Sequence, residues 1–219
     1  MRLFEHDGTH YQEWRKLHEM ARDYFGIPGV VKQSEHYLRS GGRGSKYVDF
    51  DVIISDPVRC GQVTRLFAAQ IEEVMSNKAI DFLGFLDKGG EGTVGAIALA
   101  GALEMLVSLP SVYVRPWKDV RMERIKASRD KEIYSLSDAS GILVTDHCTT
   151  GGEALRAVRL LREAGAHMED VVAYSYHTED FEPESFVNES IEFYSMYECP
   201  EDLVRAGVDL GNGQEDGTD

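Results

Sequence analysis

Only three cysteines, Cys60, Cys148 and Cys199, occur in 219 residues, and no two of them form a C-x-x-C pair. An odd number at wide spacing argues against a disulfide framework and a zinc knuckle, and predicts a reducing, cytoplasmic setting. No apolar run approaches the ~18–20 residues that a bilayer span needs, so no membrane association is expected. The opening MRLFEHD is not expected to act as a signal peptide. Positive charge is also scarce. Lys and Arg number 23 against 38 Asp and Glu, a formal net charge of −15, which argues against broad nucleic-acid binding.

What is present is an ordinary globular balance, 42% apolar and 28% charged, which excludes a disordered or fibrous chain. Residues 1–210 read as one domain. The tail 211–219 (GNGQEDGTD) has no apolar residue and is expected to be disordered and solvated. Trp14, Leu17, Ala21 and Phe25 recur near a 3.6 period and predict an amphipathic helix over 11–25. A second helix is expected from Asp56-Pro57, as N-cap and first turn, to Met75, with Val63, Leu66, Phe67, Gln70, Ile71 and Val74 as its stripe. Strands are expected at 80–86, 111–115, 141–145 and 171–176, with a last one near 191–196, and helical patterns fall at 94–109 and 152–164. Strand–helix alternation of this sort predicts an α/β fold, a parallel sheet flanked by helices, with ligands beyond the carboxyl ends of the strands.

The segment 141–166 carries the most chemistry. After a buried strand the chain turns through Asp146-His147-Cys148-Thr149-Thr150-Gly151-Gly152 and enters a helix. That helix is expected to bury Ala154, Leu155, Val158 and Leu161 and to turn Arg156, Arg159, Arg162 and Glu163 to solvent. Backbone N–H groups, threonine hydroxyls and the positive end of a helix dipole together suit a phosphate. A Walker A loop is excluded, because its spacing and lysine are missing. Without its context, the same run also fits a plain N-capped turn.

This strand–acid–loop–helix resembles the phosphoribosyl pyrophosphate (PRPP) motif of type I phosphoribosyltransferases, in which four apolar residues precede two acids, two variable residues and T-T/A-G-G/T. The resemblance places Asp146 on the second acid and Thr149, Thr150, Gly151, Gly152 and Glu153 on the 5′-phosphate cradle. Thr145 stands where the family has its first acid, so one anchor of the ribose hydroxyls is replaced. Residues 37–57 (YLRSGGRGSKYVDFDVIISDP) resemble the F-x-L-K/R-S-G-R-x-S-x-Y-x-D segment of the orotate branch, with one added glycine. By that resemblance Arg39 contacts PRPP and, with Arg43, belongs to a stretch beside the base. Read alone, the two arginines fit a solvated loop, and Tyr47, Phe50, Val52 and Ile53 suggest a strand or edge that anchors it.

Lys88 and Gly89, in the Gly-rich turn 86–93, resemble the family's Lys-Gly pyrophosphate loop, although a flexible turn with a surface lysine would look the same. Residues 115–131 concentrate basic side chains in an acidic chain and take the place of the family's mobile lid. There the resemblance gives Arg115 and Lys118, with Asp146, the catalytic assignments. Arg121, Arg124 and Lys126 are further candidates for the cationic role. The segment 190–203 resembles the family's final strand and short helix. His147-Cys148 reads as loop filler, because neighbours on a loop do not converge on a metal and no third ligand lies nearby. The acidic run 179–184 reads as a solvated loop bordering the site.

The resemblance implies a type I phosphoribosyltransferase, Rossmann-like, with a small hood from the N- and C-terminal segments. The hood spans about 1–55 and the core about 56–178. The implied reaction joins orotate or a related nucleobase to PRPP with release of pyrophosphate. It implies a homodimer, substrate-bound Mg²⁺ as the cofactor and no metal held by the protein alone. Two alternatives remain. One is a weak or inactive PRPP- or nucleotide-sensing protein of the same fold, and the other is a phosphoribosyltransferase for another base.

Overall fold

Asp56 accepts hydrogen bonds at 2.9 Å from the N–H groups of both Val58 and Arg59, and Pro57 opens the helix that follows. The computed structural model describes residues 8–37, 43–86, 93–114, 123–124, 136–177 and 180–199. The expected helix over 11–25 is α1 (Gly8–Arg22), continued by a 3-10 turn (Asp23–Gly26) that brings Tyr24 and Phe25 into the core. β1 (Val31–Tyr37) and β2 (Arg43–Val48) pair antiparallel as a separate two-stranded sheet.

The strand or edge expected through Tyr47–Ile53 is corrected. Tyr47 lies in β2, but Phe50, Val52 and Ile53 belong to α2 (Phe50–Ile54). The Asp49 side chain accepts from the Asp51 N–H and starts that helix, which buries Phe50, Ile53 and Ile54 on one helical face. The Asp56-capped helix is α3 (Pro57–Met75), with the predicted bounds. Of its stripe, Val63, Leu66, Phe67, Ile71 and Val74 are buried, while Gln70 stays half-buried and donates to Glu73.

β3 (Phe82–Leu86), α4 (Thr93–Val107), β4 (Ser111–Val114), β5 (Glu123–Arg124), β6 (Ser140–Cys148), α5 (Gly152–Glu163), β7 (His167–His177), α6 (Pro183–Asn188) and β8 (Glu192–Cys199) complete the described elements. The main sheet runs β5-β4-β3-β6-β7-β8, parallel except for the short edge strand β5. Successive strands run outward one way from β3 and the other way from β6. The gap between the carboxyl ends of β3 and β6 is therefore the topological switch point, where doubly wound sheets bind ligands.

Both faces of the sheet are covered. On one, Phe85, Ile142, Val144 and Tyr174 pack with Phe67 of α3 and Leu103 of α4. On the other, Phe82, Leu143 and Met168 pack with Val158 and Leu161 of α5 and Phe186 of α6. β3 and β4 are buried along their whole length, as central parallel strands require. Arg162 departs from its expected solvent position. Its guanidinium is half-buried and donates to the Met168 carbonyl (3.0 Å) and the Glu189 carbonyl (3.0 Å), joining α5 to β7 and α6. No helix among the described residues is long and apolar enough to cross a membrane.

Candidate active site

β6 is longer than its apolar run. The expected loop Asp146-His147-Cys148 is strand, because β6 continues to pair with β7 through His147↔Ser175 and Cys148↔Tyr176. Asp146 thereby gains a fixed backbone instead of a loop's freedom. Its Oδ1 accepts from the His147 N–H at 2.7 Å and from the Thr145 hydroxyl at 3.3 Å. His147, read from sequence as filler, is anchored by its Nδ1 to the Ser175 hydroxyl at 2.8 Å. Cys148 is a buried thiol.

The turn to α5 follows at once. Gly151 has φ +82°, a left-handed conformation, at the N-cap position, and the Gly152 N–H donates to the Thr150 hydroxyl at 3.3 Å. A Cβ on Gly151 would collide with the Phe186 ring and touch Phe181 at 3.2 Å, so two constraints select glycine here. Phe181 is half-buried and stacks on Phe186, and Pro183 opens α6. The described acidic side chains of 179–184, Asp180, Glu182 and Glu184, stay exposed as expected, while Phe181 between them packs inward. At the neighbouring end of β7, burial, aided by a hydrogen bond to Glu198, pushes the Tyr176 phenol up to about 12. It stays a neutral group at physiological pH.

A cleft opens at the switch point. Leu86 ends β3, Thr145 and Asp146 come from β6, Leu99 from α4, and Phe50 and Asp51 from α2. Asp51 was not anticipated from sequence. A carboxylate in the short acidic stretch 49–51 carries no spacing signal, and only the docking of α2 onto α4 brings it to the cleft. Its Oδ1 accepts from the Gly95 N–H of α4 at 3.0 Å.

The structure therefore brings Asp146, Thr149, Thr150, Gly151, Gly152 and Glu153 together on one strand–turn–helix. Arg43 opens β2 and pairs with Tyr37 in the hairpin. Arg39, Lys88, Gly89, Arg115, Lys118, Arg121 and Lys126 lie outside the described residues, as do the tail and the 200–203 segment. Glu123 and Arg124, within the lid expected over 115–131, add β5 to the edge of β4. Chemically, the site offers a carboxylate able to accept from ribose hydroxyls. Beside it, a glycine turn at a helix N-terminus suits a phosphate.

No family model matches the chain. The orotate phosphoribosyltransferase of Pyrococcus furiosus is 29% identical over 178 residues, covering 81% of this chain and 91% of that protein. That of Rhodopseudomonas palustris is 28% identical over 79% of this chain and 89% of its own. Among solved structures, orotate phosphoribosyltransferase from Aeropyrum pernix superposes with a TM-score of 0.58 at 17% identity, covering 90% of this chain and 99% of that one. Adenine phosphoribosyltransferase from Saccharomyces cerevisiae gives 0.54 at 19% identity, over 84% and 99%. The chain has the fold of the type I phosphoribosyltransferases, and its sequence is similar to orotate phosphoribosyltransferases over about four fifths of its length.

Proposed function

We propose that this protein is a phosphoribosyltransferase that joins a nucleobase nitrogen to the anomeric carbon of PRPP and releases pyrophosphate, with orotate as the first base to test. The observation that carries the reading is the Asp146-to-Glu153 unit at the carboxyl end of β6, beside a cleft at the switch point of the sheet. Similarity to orotate phosphoribosyltransferases supports the same activity and this choice of base. The bond from the anomeric carbon to pyrophosphate breaks as the bond to the base nitrogen forms, and the ribose carries positive charge between the two events. Binding and orientation supply the catalysis, so no covalent nucleophile is required.

In this reading the turn at Thr149–Gly152 holds the 5′-phosphate, and Asp146 accepts from the ribose hydroxyls. Lys88 and Gly89, with Arg39, Arg115 and Lys118, meet the pyrophosphate, and Arg43 lies on the base side. Mg²⁺ fits this donor set. The Asp146 carboxylate is a hard oxygen ligand at the cleft, and Mg²⁺ takes one or two carboxylates beside substrate oxygens and water. Bound there, it would neutralise pyrophosphate charge.

A homodimer is part of the proposal. α4 exposes the apolar side chains of Ile97 (44%), Met105 (82%) and Leu106 (52%), and a second copy that covered the neighbouring Met105 and Leu106 would remove them from water. Sedimentation showing only monomer at micromolar concentration would count against it.

One observation favours a second reading, a PRPP sensor without turnover. Thr145, in place of the family's first acid, is 4% exposed and donates to Asp146. Calorimetry with PRPP and Mg²⁺, followed by product assay with orotate and other bases, separates the two. Binding with product supports the enzyme, binding without product supports the sensor, and no binding at millimolar PRPP removes both.

A further inference from the structure

Gly151 and Gly152, which lead into α5, have no side chains with which to hold their turn in place. Glycine roams widely in φ and ψ, so such a turn is loose unless something outside it supplies the constraint. Its local hydrogen bond, from the Gly152 N–H to the Thr150 hydroxyl, is long at 3.3 Å. The constraint comes from α6. The Phe186 ring is 1% exposed and lies so close to Gly151 that a Cβ there would collide with it, and Phe181 would stand 3.2 Å from the same Cβ. The two rings stack with centres 5.2 Å apart, and Phe193 of β8 backs them at 4.9 and 4.5 Å. α6 is fixed to α5 a second time, two turns later. Glu189, the residue after α6, accepts from Arg159 Nε at 2.9 Å through its carboxylate and from Arg162 Nη1 at 3.0 Å through its carbonyl. The Phe186 carbonyl accepts from the Ile191 N–H at 2.9 Å, which holds the end of this brace against the start of β8.

We infer that Phe186 is a positioning residue for the anion taken up at the start of α5, with Phe181 in a lesser share. The inference rests on the reading of Thr149–Gly152 as a phosphate turn. Backbone N–H groups at a helix start bind an anion only when they are aimed at it, and a hydrogen bond is sensitive to a few tenths of an ångström. The ring holds Gly151 in its left-handed conformation, φ +82°, before any ligand arrives. Binding then does not have to order the turn, which is the gain from preorganisation. A side chain that only filled the core would act through stability alone. Phe193 supplies that comparison, because it belongs to the same aromatic cluster while the rings nearest to Gly151 are those of Phe186 and Phe181.

The test compares Phe186→Leu, Phe181→Leu and Phe193→Leu in the full chain, by calorimetry with inorganic phosphate, urea unfolding and amide hydrogen exchange in the first turn of α5. All three variants should lose stability. Phosphate affinity should fall by roughly tenfold in Phe186→Leu, the scale of one hydrogen bond to a charged group, and by less in Phe181→Leu. In Phe193→Leu it should hold within about twofold. Exchange at Gly152 and Glu153 should rise in the same order. If Phe186→Leu does not fold, the contrast between Phe181→Leu and Phe193→Leu decides the matter. An equal loss of phosphate affinity in the Phe193 variant, or wild-type affinity and exchange in the folded Phe186 and Phe181 variants, would overturn the inference. Wild-type protein that binds neither inorganic phosphate nor PRPP counts against the proposed function. The positioning of an anion then falls with it, while the exchange data still report whether Phe186 holds the turn.

Discussion

Thr145 and Asp146 are successive residues of β6, and the hydroxyl of the first donates to the carboxylate of the second at 3.3 Å. Thr145 is buried, so this hydroxyl serves its neighbour more than solvent. Thr145→Asp would set a second carboxylate against Asp146 with little water to screen it. The unliganded variant should lose about 2 kcal/mol, since like charges at close range disfavour joint ionisation. For a chain of this size that is a fall of about 4–8 °C in Tm. PRPP with Mg²⁺ should recover part of it, and turnover with orotate should rise in an enzyme and stay at zero in a sensor. Differential scanning fluorimetry with and without ligand, beside a product assay, checks this. A variant as stable as wild type without ligand would show that Thr145 is not where β6 places it.

Gly151→Ala tests the turn that opens α5. Positive φ and the Phe186 ring both oppose a side chain there. Expected losses are about 2–3 kcal/mol of stability, from strain and overpacking together. PRPP affinity should also collapse, because relief of the clash would move the turn proposed to hold the 5′-phosphate. Urea unfolding and calorimetry give the two numbers independently, and an Ala variant with wild-type affinity would contradict the assignment of the turn.

At the opposite end of the sheet, Lys78 Nζ lies 2.9 Å from Asp170 Oδ1, a carboxylate that is 1% exposed. Glu169 and Glu192 stand at 3.7 Å on the exposed side. Lys78→Met would leave a buried carboxylate without its cation, at a cost of about 3 kcal/mol. Phosphate binding should not change, since the pair lies at the amino end of β7, away from the site. Chemical denaturation with a parallel phosphate titration separates these effects.

His18 predicts a pH dependence. Its Nε2 donates to the Met196 carbonyl at 3.0 Å, and its ring packs between Trp14 and Tyr197. Burial holds the imidazole below its ordinary 6.5, against the Met196 carbonyl, which raises it, with a smaller lowering from Arg22. A depressed folded value means that the unfolded chain binds the proton more tightly. The contribution to stability is therefore complete above about pH 6.5 and is lost as pH falls toward the folded value. His18→Gln keeps a donor for Met196 and cannot titrate, so its Tm should fall less than that of wild type between pH 7 and about pH 5. Parallel slopes for the two proteins would exclude His18 as a source.

Local signals were legible wherever one short segment contained both the cause and the effect. Asp56-Pro57 fixed the start of α3, and the apolar run before Asp146 with the Thr-Gly turn after it marked strand, turn and helix. Those same residues carried the resemblance from which the activity was read. Where the cause lay elsewhere in the chain, the signal vanished. Polar residues 146–148 read as loop because their pairing partners, Ser175 and Tyr176, are nearly thirty residues away. Phe50 and Ile53 fit a strand as well as a helix in so short a run, until the Asp49 cap decided it.

The sequence by itself determined the α/β alternation and the strand, glycine turn and helix around Asp146, because backbone periodicity, capping and glycine conformation act over a few residues. Tertiary structure alone decided that His147 meets the Ser175 hydroxyl, that Arg162 is drawn inward by the Met168 and Glu189 carbonyls, and that Asp51 caps α4 across 44 residues of chain. A hydrogen bond depends on the position of both partners to within a few tenths of an ångström. Between distant residues, that position is set by packing of the core and not by any local pattern.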